Sequence, residues 1–187
     1  MAELATGHLK GVTNGAALVL GSGLGGGIII NGKLFQGSHF QAGELTFLLP
    51  LQMEKLDPSL MQKTTLSAIG LITKVNEILA SLDLKDGLLA FKAINAKKEA
   101  VYPIFETYCR NLAITILNLQ TIFDMETFVL GGGISAQSIL IEEVNRQFDK
   151  VHHEIDFIGK IIKRPKIVAC HHNGTNLIGA AYFLKQG

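Results

Sequence analysis

The sequence predicts an α/β fold, and three observations carry that expectation. Short apolar runs such as Ala16–Leu20 and Thr127–Leu130 stop in glycine, the segments between them carry apolar residues at spacings of three and four, and the two patterns alternate without an internal repeat. Ala16–Leu20 is apolar throughout and reads as a strand buried on both faces. Gly27–Ile30 meets Lys33–Phe35 across Asn31-Gly32, the strongest two-residue hairpin signal. Gly37 to Pro58 has no period and reads as a loop region with room for one edge strand. Leu66, Ile69, Ile72, Val75 and Ile78-Leu79 predict an amphipathic helix from Ser59 through about Ser81, and Asp86 can cap a short helix to about Asn95. From Glu99 to Phe123 a stripe of Ile104, Tyr108, Leu112, Ile116, Leu119 and Phe123 predicts a long helix, apolar almost all round after Asn111 and so expected at the centre of the packing. Thr127–Leu130 follows as a second buried strand. Ser135 is the expected cap of a helix over Ile139–Val151, Lys166–Ala169 is a third strand, and Thr175–Leu184 a last helix.

Composition narrows the function classes. The chain has 187 residues, 48% hydrophobic and 18% charged, with a formal net charge of +1. That is one domain, or half of a larger bilobal one, with no bulk electrostatic grip on nucleic acid or anionic membrane. The start Met1–Gly7 has no basic or apolar leader, and the longest apolar run, Gly15–Ile30, is broken by glycines and too short to span a bilayer. Cys109 and Cys170 lie far apart in apolar surroundings, which argues against a disulfide and for a cytoplasmic setting. Cys170-His171-His172 and His152-His153 lack zinc-site spacing and read as a strand end and a surface loop. The basic run from Lys160 to Lys166 reads as a solvated turn.

Twenty glycines, gathered in clusters, are the distinctive feature. Gly21-Ser22-Gly23-Leu24-Gly25-Gly26-Gly27 follows one buried strand and precedes another. Glycines let successive N–H groups turn toward phosphate oxygens, and Ser22 adds a hydroxyl donor. The segment is neither a Walker loop nor a Rossmann fingerprint, and it fits either a phosphate-binding hairpin or a glycine-rich β-turn without ligand. Gly131-Gly132-Gly133-Ile134-Ser135 lies between a strand and a helix start, where free amides and room for a flat base or ribose coincide; the alternative is an ordinary strand-to-helix turn. If both strand ends belong to one sheet, both clusters open on one crevice. Glu44, after Gly43, can accept hydrogen bonds from two neighbouring polyol hydroxyls or be a solvated loop glutamate.

In this order the motifs resemble the C-terminal part of the ROK family (repressor, open reading frame, kinase), sugar kinases and sugar-responsive repressors of the actin-like ATPase (ribonuclease H-like) fold. Leu20–Gly27 is similar to the family's second phosphate motif, Asn31–Leu34 to the hairpin after it, and Gly37–Glu44 to the sugar-loop segment. Val129–Ser135 resembles the adenosine motif, and Asn176–Ala181 the closing helix. The resemblance implies a C-terminal lobe with a mixed sheet and packed helices spanning 1–187. It also implies phosphate contacts at Gly21, Ser22, Gly23, Gly25 and Gly26, adenosine contacts at Gly131, Gly132 and Gly133, and a sugar contact at Glu44.

The departures are equally informative. Zinc-binding members carry Gly-Glu-x-Gly-His and a cysteine loop, whereas here Gly43-Glu44 runs into Leu45-Thr46-Phe47 and no cysteine lies between residues 45 and 108. That is similar to the zinc-free, β-glucoside kinase-like branch; a second sugar contact falls near Gln62. The family's Asp-x-Gly-x-Thr loop and Asn-Asp pair are absent from these residues, and Met1–Leu4 is similar to the helix that follows the catalytic aspartate. The aspartates Asp57, Asp83, Asp86, Asp124, Asp149 and Asp156 are not adjacent in sequence to a glycine cluster. The expectation is therefore a lobe that binds ATP with Mg2+ and a small sugar, holds no zinc, lacks the catalytic base and turns over negligibly alone, with no residue assigned a catalytic role. The alternative is a non-catalytic sugar-sensing module of a ROK-type regulator. A homodimer is expected, covering the apolar helix around Asn111–Phe123, with neither nucleic acid nor membrane as partner.

Overall fold

The computed structural model describes residues 1–49, 65–154 and 157–171. Gly15–Leu20 (β1), Leu24–Ile30 (β2) and Lys33–Phe35 (β3) form an antiparallel meander, and Thr127–Gly132 (β4) and Lys166–Ala169 (β5) extend it in parallel, in the order β3-β2-β1-β4-β5. The helices are Ala2–Thr6 (α1), Ala68–Ile78 (α2), Gly87–Asn95 (α3), Tyr102–Phe123 (α4), Ser138–His153 (α5) and Ile158–Ile161 (α6).

The period of two along β1 divides its side chains. Ala16, Leu18 and Leu20 enter the main core with Leu24, Ile28, Phe128 and Leu130, against α2 to α5. Ala17 turns to the other face, where Leu9, Ile29 and Val129 make a thin second cluster under residues 2–12. There Glu3, itself buried, accepts the amides of His8 at 2.9 Å and His171 at 2.8 Å, fastening α1 to the end of β5. Helix α4 lies at the centre: Leu112, Ala113, Ile116, Leu117 and Leu119 are all buried. Most of the apolar stretch behind the dimer expectation is thus consumed inside the chain, leaving Ile114 and Ile122 outside.

Asp86 caps α3, as the sequence predicts, accepting the Leu89 amide at 2.9 Å. Four expectations are corrected. The described part of the amphipathic helix starts at Ala68, where Ser67 accepts the Gly70 amide at 2.9 Å, and stops at Ile78 rather than Ser81. Residues 37–49 contain a 3-10 turn, Leu45–Phe47, and no edge strand. Ser135 does not cap α5: its hydroxyl donates to Gly132 O at 2.8 Å, two further turns intervene, and the helix begins after Gln137. His152 and His153 close α5 rather than lying in a surface loop; His152 is buried, stacked on Phe148 with Nε2 2.7 Å from Ile162 O. The basic run overlaps only the last two residues of α6, Lys160 and Ile161, and from 162 to 165 it is a non-helical connection to β5 with Lys163 and Arg164 exposed, the latter ion-paired to Asp149 at 2.6 Å. Neither cysteine is in a disulfide. Gln62 and the helix expected over Thr175–Leu184 lie outside the described residues.

Candidate functional site

The parallel register of β1 and β4 pairs Leu20 with Gly132, so the bends that follow the two strands leave the sheet side by side. Residues Gly21–Gly23 connect Leu20 to Leu24, closed by the Gly21 amide donating to Gly23 O at 3.0 Å. Gly21 O accepts the Ala68 amide at 2.8 Å, seating the bend on the first turn of α2. The amides of Ser22 and Gly23 donate to no other described residue. Across from them, Gly132 takes a positive φ of 101°, and a Cβ there would stand 2.1 Å from Leu20 O, so this position demands glycine for purely internal reasons.

Gly21 and Gly133 differ from Gly132. A Cβ added at either meets no described residue within 4 Å, and both face one cleft of about 520 Å³. Its third wall is built by α2 and α3: Ile69 and Ile72 from the first, Leu88 and Phe91 from the second, and Asp83, Lys85 and Asp86 from the connection between them. Gln137, at the start of α5, closes the far side. A concave, mostly apolar space of this size suits a small organic ligand. A larger groove of about 570 Å³ between α2 and α4 includes neither glycine bend.

The other expected residues are distributed more widely. Gly25 and Gly26 lie within β2 rather than in the bend, and a Cβ on Gly26 would stand 2.8 Å from Gly43 O. Gly26 and Gly131 line a smaller cavity of about 290 Å³ on the opposite face of the sheet, beside Cys170 and α1. Glu44 is exposed on the loop against the outer edge of β2 and is not among the residues lining the 520 Å³ cleft. Asp83 and Asp86, far from either glycine cluster in sequence, reach the cleft through the fold, which corrects the reading of aspartates by sequence adjacency. Both are engaged locally: Asp83 Oδ1 accepts the Lys85 amide at 2.8 Å, and Asp86 caps α3. Sequence reasoning missed this whole wall. The available signal was Leu88-Leu89 beside a capping aspartate, adjacent apolar residues of which one must face outward; Leu88 is 84% exposed. Among the described residues, no three His, Cys, Asp or Glu side chains come together in a way that could hold a metal ion, and no helix is long and apolar enough to cross a membrane.

Comparison with known proteins identifies the family and the fold. The chain is 30% identical to the N-acetyl-D-glucosamine kinase of Vibrio cholerae, over 95% of its own length and 60% of the relative's. It is 27% identical to the beta-glucoside kinase of Klebsiella pneumoniae, over 100% and 60%. The chain therefore spans about 60% of the length of these curated relatives. A ROK family protein from Streptococcus pneumoniae, solved in complex with sucrose, superposes with a TM-score of 0.78 at 28% identity, covering 100% of this chain and 63% of that one. The fold of a ROK family glucokinase from Streptomyces griseus, solved with glucose and AMPPNP, matches with a TM-score of 0.81 at 22% identity, over 100% and 65%. The sheet and its helices are those of the actin-like ATPase (ribonuclease H-like) fold. All 187 residues, 1–187, match the ROK family, and the chain belongs to it.

Proposed function

We propose that this chain supplies the ATP- and sugar-binding part of an ATP-dependent sugar kinase that transfers the γ-phosphate to a sugar hydroxyl. The observation that carries the reading is the pair Gly21 and Gly133: both face one cleft from neighbouring strand ends, and at neither would an added Cβ meet another described residue within 4 Å.

In this reading the amides of Ser22 and Gly23, with the Ser22 hydroxyl, donate to the nucleotide phosphates at the Gly21–Gly23 bend, and Gly25 and Gly26 let the following strand lie close behind. Adenosine lies against the backbone of Gly131–Gly133, its base covered by Ile69, Ile72 and Leu88. Lys85 adds a positive charge to the same wall. Glu44, on the neighbouring loop, accepts hydrogen bonds from the sugar. Kinases of this kind use Mg2+ with the nucleotide. Asp83 and Asp86 are occupied with backbone amides and the described residues offer no metal cluster, so they do not fit a resident magnesium site and no step is assigned to one. The 187 residues contain neither Asp-x-Gly-x-Thr nor Asn-Asp, so they are expected to bind without turning over.

Calorimetric titration of the 187-residue chain with Mg-ADP, glucose and N-acetylglucosamine tests the proposal. Nucleotide binding without ADP release from Mg-ATP plus sugar is the expected result. Sugar binding with no nucleotide binding would favour a sensor module of a regulator, and efficient phosphorylation of glucose by this chain alone would refute the missing-base argument.

A further inference from the structure

On its outer edge, β2 has a strand partner among the described residues only at Ile28–Ile30, where β3 pairs with it. Opposite Leu24 a side chain does the work of a strand. The Leu24 amide donates to Thr46 Oγ1 at 3.1 Å, and the same hydroxyl donates to Leu24 O at 3.0 Å, so one threonine satisfies both backbone groups of one residue. Beside this bracket the two chains approach closely. Gly43 has φ of 91°, and a Cβ on it would stand 2.3 Å from Gly26 O. Leu45 is buried across the same contact, its Cδ1 placed 2.8 Å from where a Cβ on Gly26 would be. The bracket lies one residue from Gly23, whose amide faces no described partner, and two from Glu44.

We infer that Thr46 is a positioning residue that pins the Glu44 loop to the glycine bend, so that the two segments open and close as one unit and a ligand seated on the bend orders the loop. Glycine-to-glycine packing alone holds distance but not register; the donor-acceptor hydroxyl fixes register, because it must meet the N–H and the C=O of a single residue at once. The consequence for ligands rests on the nucleotide reading of the cleft, while the pin itself does not.

Hydrogen exchange of the full 187-residue chain tests both parts, using wild type, Thr46→Val and Thr46→Ser, each with and without Mg-ADP. Without ligand, Thr46→Val is expected to speed exchange about tenfold at residues 24–27 and 43–47 together, the size set by two lost hydrogen bonds, while Thr46→Ser stays close to wild type. With Mg-ADP, residues 21–27 and 43–47 gain protection in wild type and Thr46→Ser, but only residues 21–23 do so in Thr46→Val. The inference is overturned if Thr46→Val loosens 43–47 and leaves 24–27 unchanged, or if Thr46→Ser exchanges as fast as Thr46→Val. If Mg-ADP protects neither segment in wild type, the nucleotide reading fails while the unliganded comparison still decides the pin. Should Thr46→Val not fold, Thr46→Ala, which removes the hydroxyl without adding bulk, carries the same comparison.

Discussion

Adjacent glycines in the Gly131–Gly133 triplet are glycine for different reasons, and substitution separates them. Gly132 is fixed by the protein: its φ of 101° disfavours any side chain, and a Cβ would overlap Leu20 O at 2.1 Å. Gly132→Ala is therefore expected to cost about 3 kcal/mol, combining backbone strain with displacement of β1. In a domain of this size that lowers Tm by about 6–12 °C. Gly133 has an ordinary φ and no described residue within 4 Å of an added Cβ, so Gly133→Leu is expected to fold with stability within about 0.5 kcal/mol of wild type. Its side chain enters the cleft, however, and should weaken Mg-ADP binding at least tenfold, about 1.4 kcal/mol. Thermal melts and titrations on the two variants check the division. A Gly133→Leu protein that binds nucleotide as well as wild type would remove the cleft from the account.

Between elements, the most concentrated polar contact joins α4 to α5. Glu143 is 4% exposed and accepts from Arg146 Nε at 2.8 Å, Gln147 Nε2 at 2.7 Å and the Tyr102 hydroxyl at 3.1 Å, while Arg146 also reaches Glu106. Burial by itself would raise the Glu143 carboxyl, but the hydrogen bonds from Arg146, Gln147 and Tyr102 outweigh it and hold the group below the usual carboxylate range. The sign follows. A carboxyl depressed in the folded state contributes stability that is complete above its unfolded value of about 4.3 and is lost as pH falls through the lower folded value. Glu143→Gln is expected to cost about 1–3 kcal/mol at pH 7, reduced from the value for a fully buried pair because Arg146 is 42% exposed. Urea unfolding of both proteins from pH 7 to pH 3 should show that gap closing below about pH 4, and a gap independent of pH would exclude the ionised carboxylate as its source. On the alkaline side, burial first and the bond to Glu143 second push the Tyr102 phenol up to about 12. That contribution is intact below about pH 10 and fades as pH rises toward 12.

For the whole molecule, what could be read from the sequence was what local period and turn chemistry determine. Ala16–Leu20, the Asn31-Gly32 hairpin, the Asp86 cap, the long central helix and Lys166–Ala169 all appear where apolar spacing or a turn residue required them. The two glycine bends were legible as neighbours, because buried strands ending in glycine point to one sheet edge. The α2–α3 wall was not legible: Ile69, Asp83 and Leu88 reach the cleft only because α2 seats its first turn on Gly21 O, a tertiary contact without a sequence signature. Ser135 failed as a cap because turns over residues 133–136 place it before the helix, which begins only after Gln137. The same assembly sets a test at this scale. A ligand held between the β1–β2 bend, β4, α2 and α3 must be released when any one of them separates, so it stabilises the domain as a unit rather than one segment. At one hundred times its Kd, Mg-ADP should add about 2.7 kcal/mol to unfolding, which for a chain of this length raises Tm by about 5–11 °C in a single cooperative transition. Gly133→Leu at the same ligand concentration should show about half that shift or less, from an unchanged starting Tm. A full shift in that variant would place the nucleotide elsewhere on the protein, and no shift in wild type would mean that the cleft between the two glycine bends does not take it.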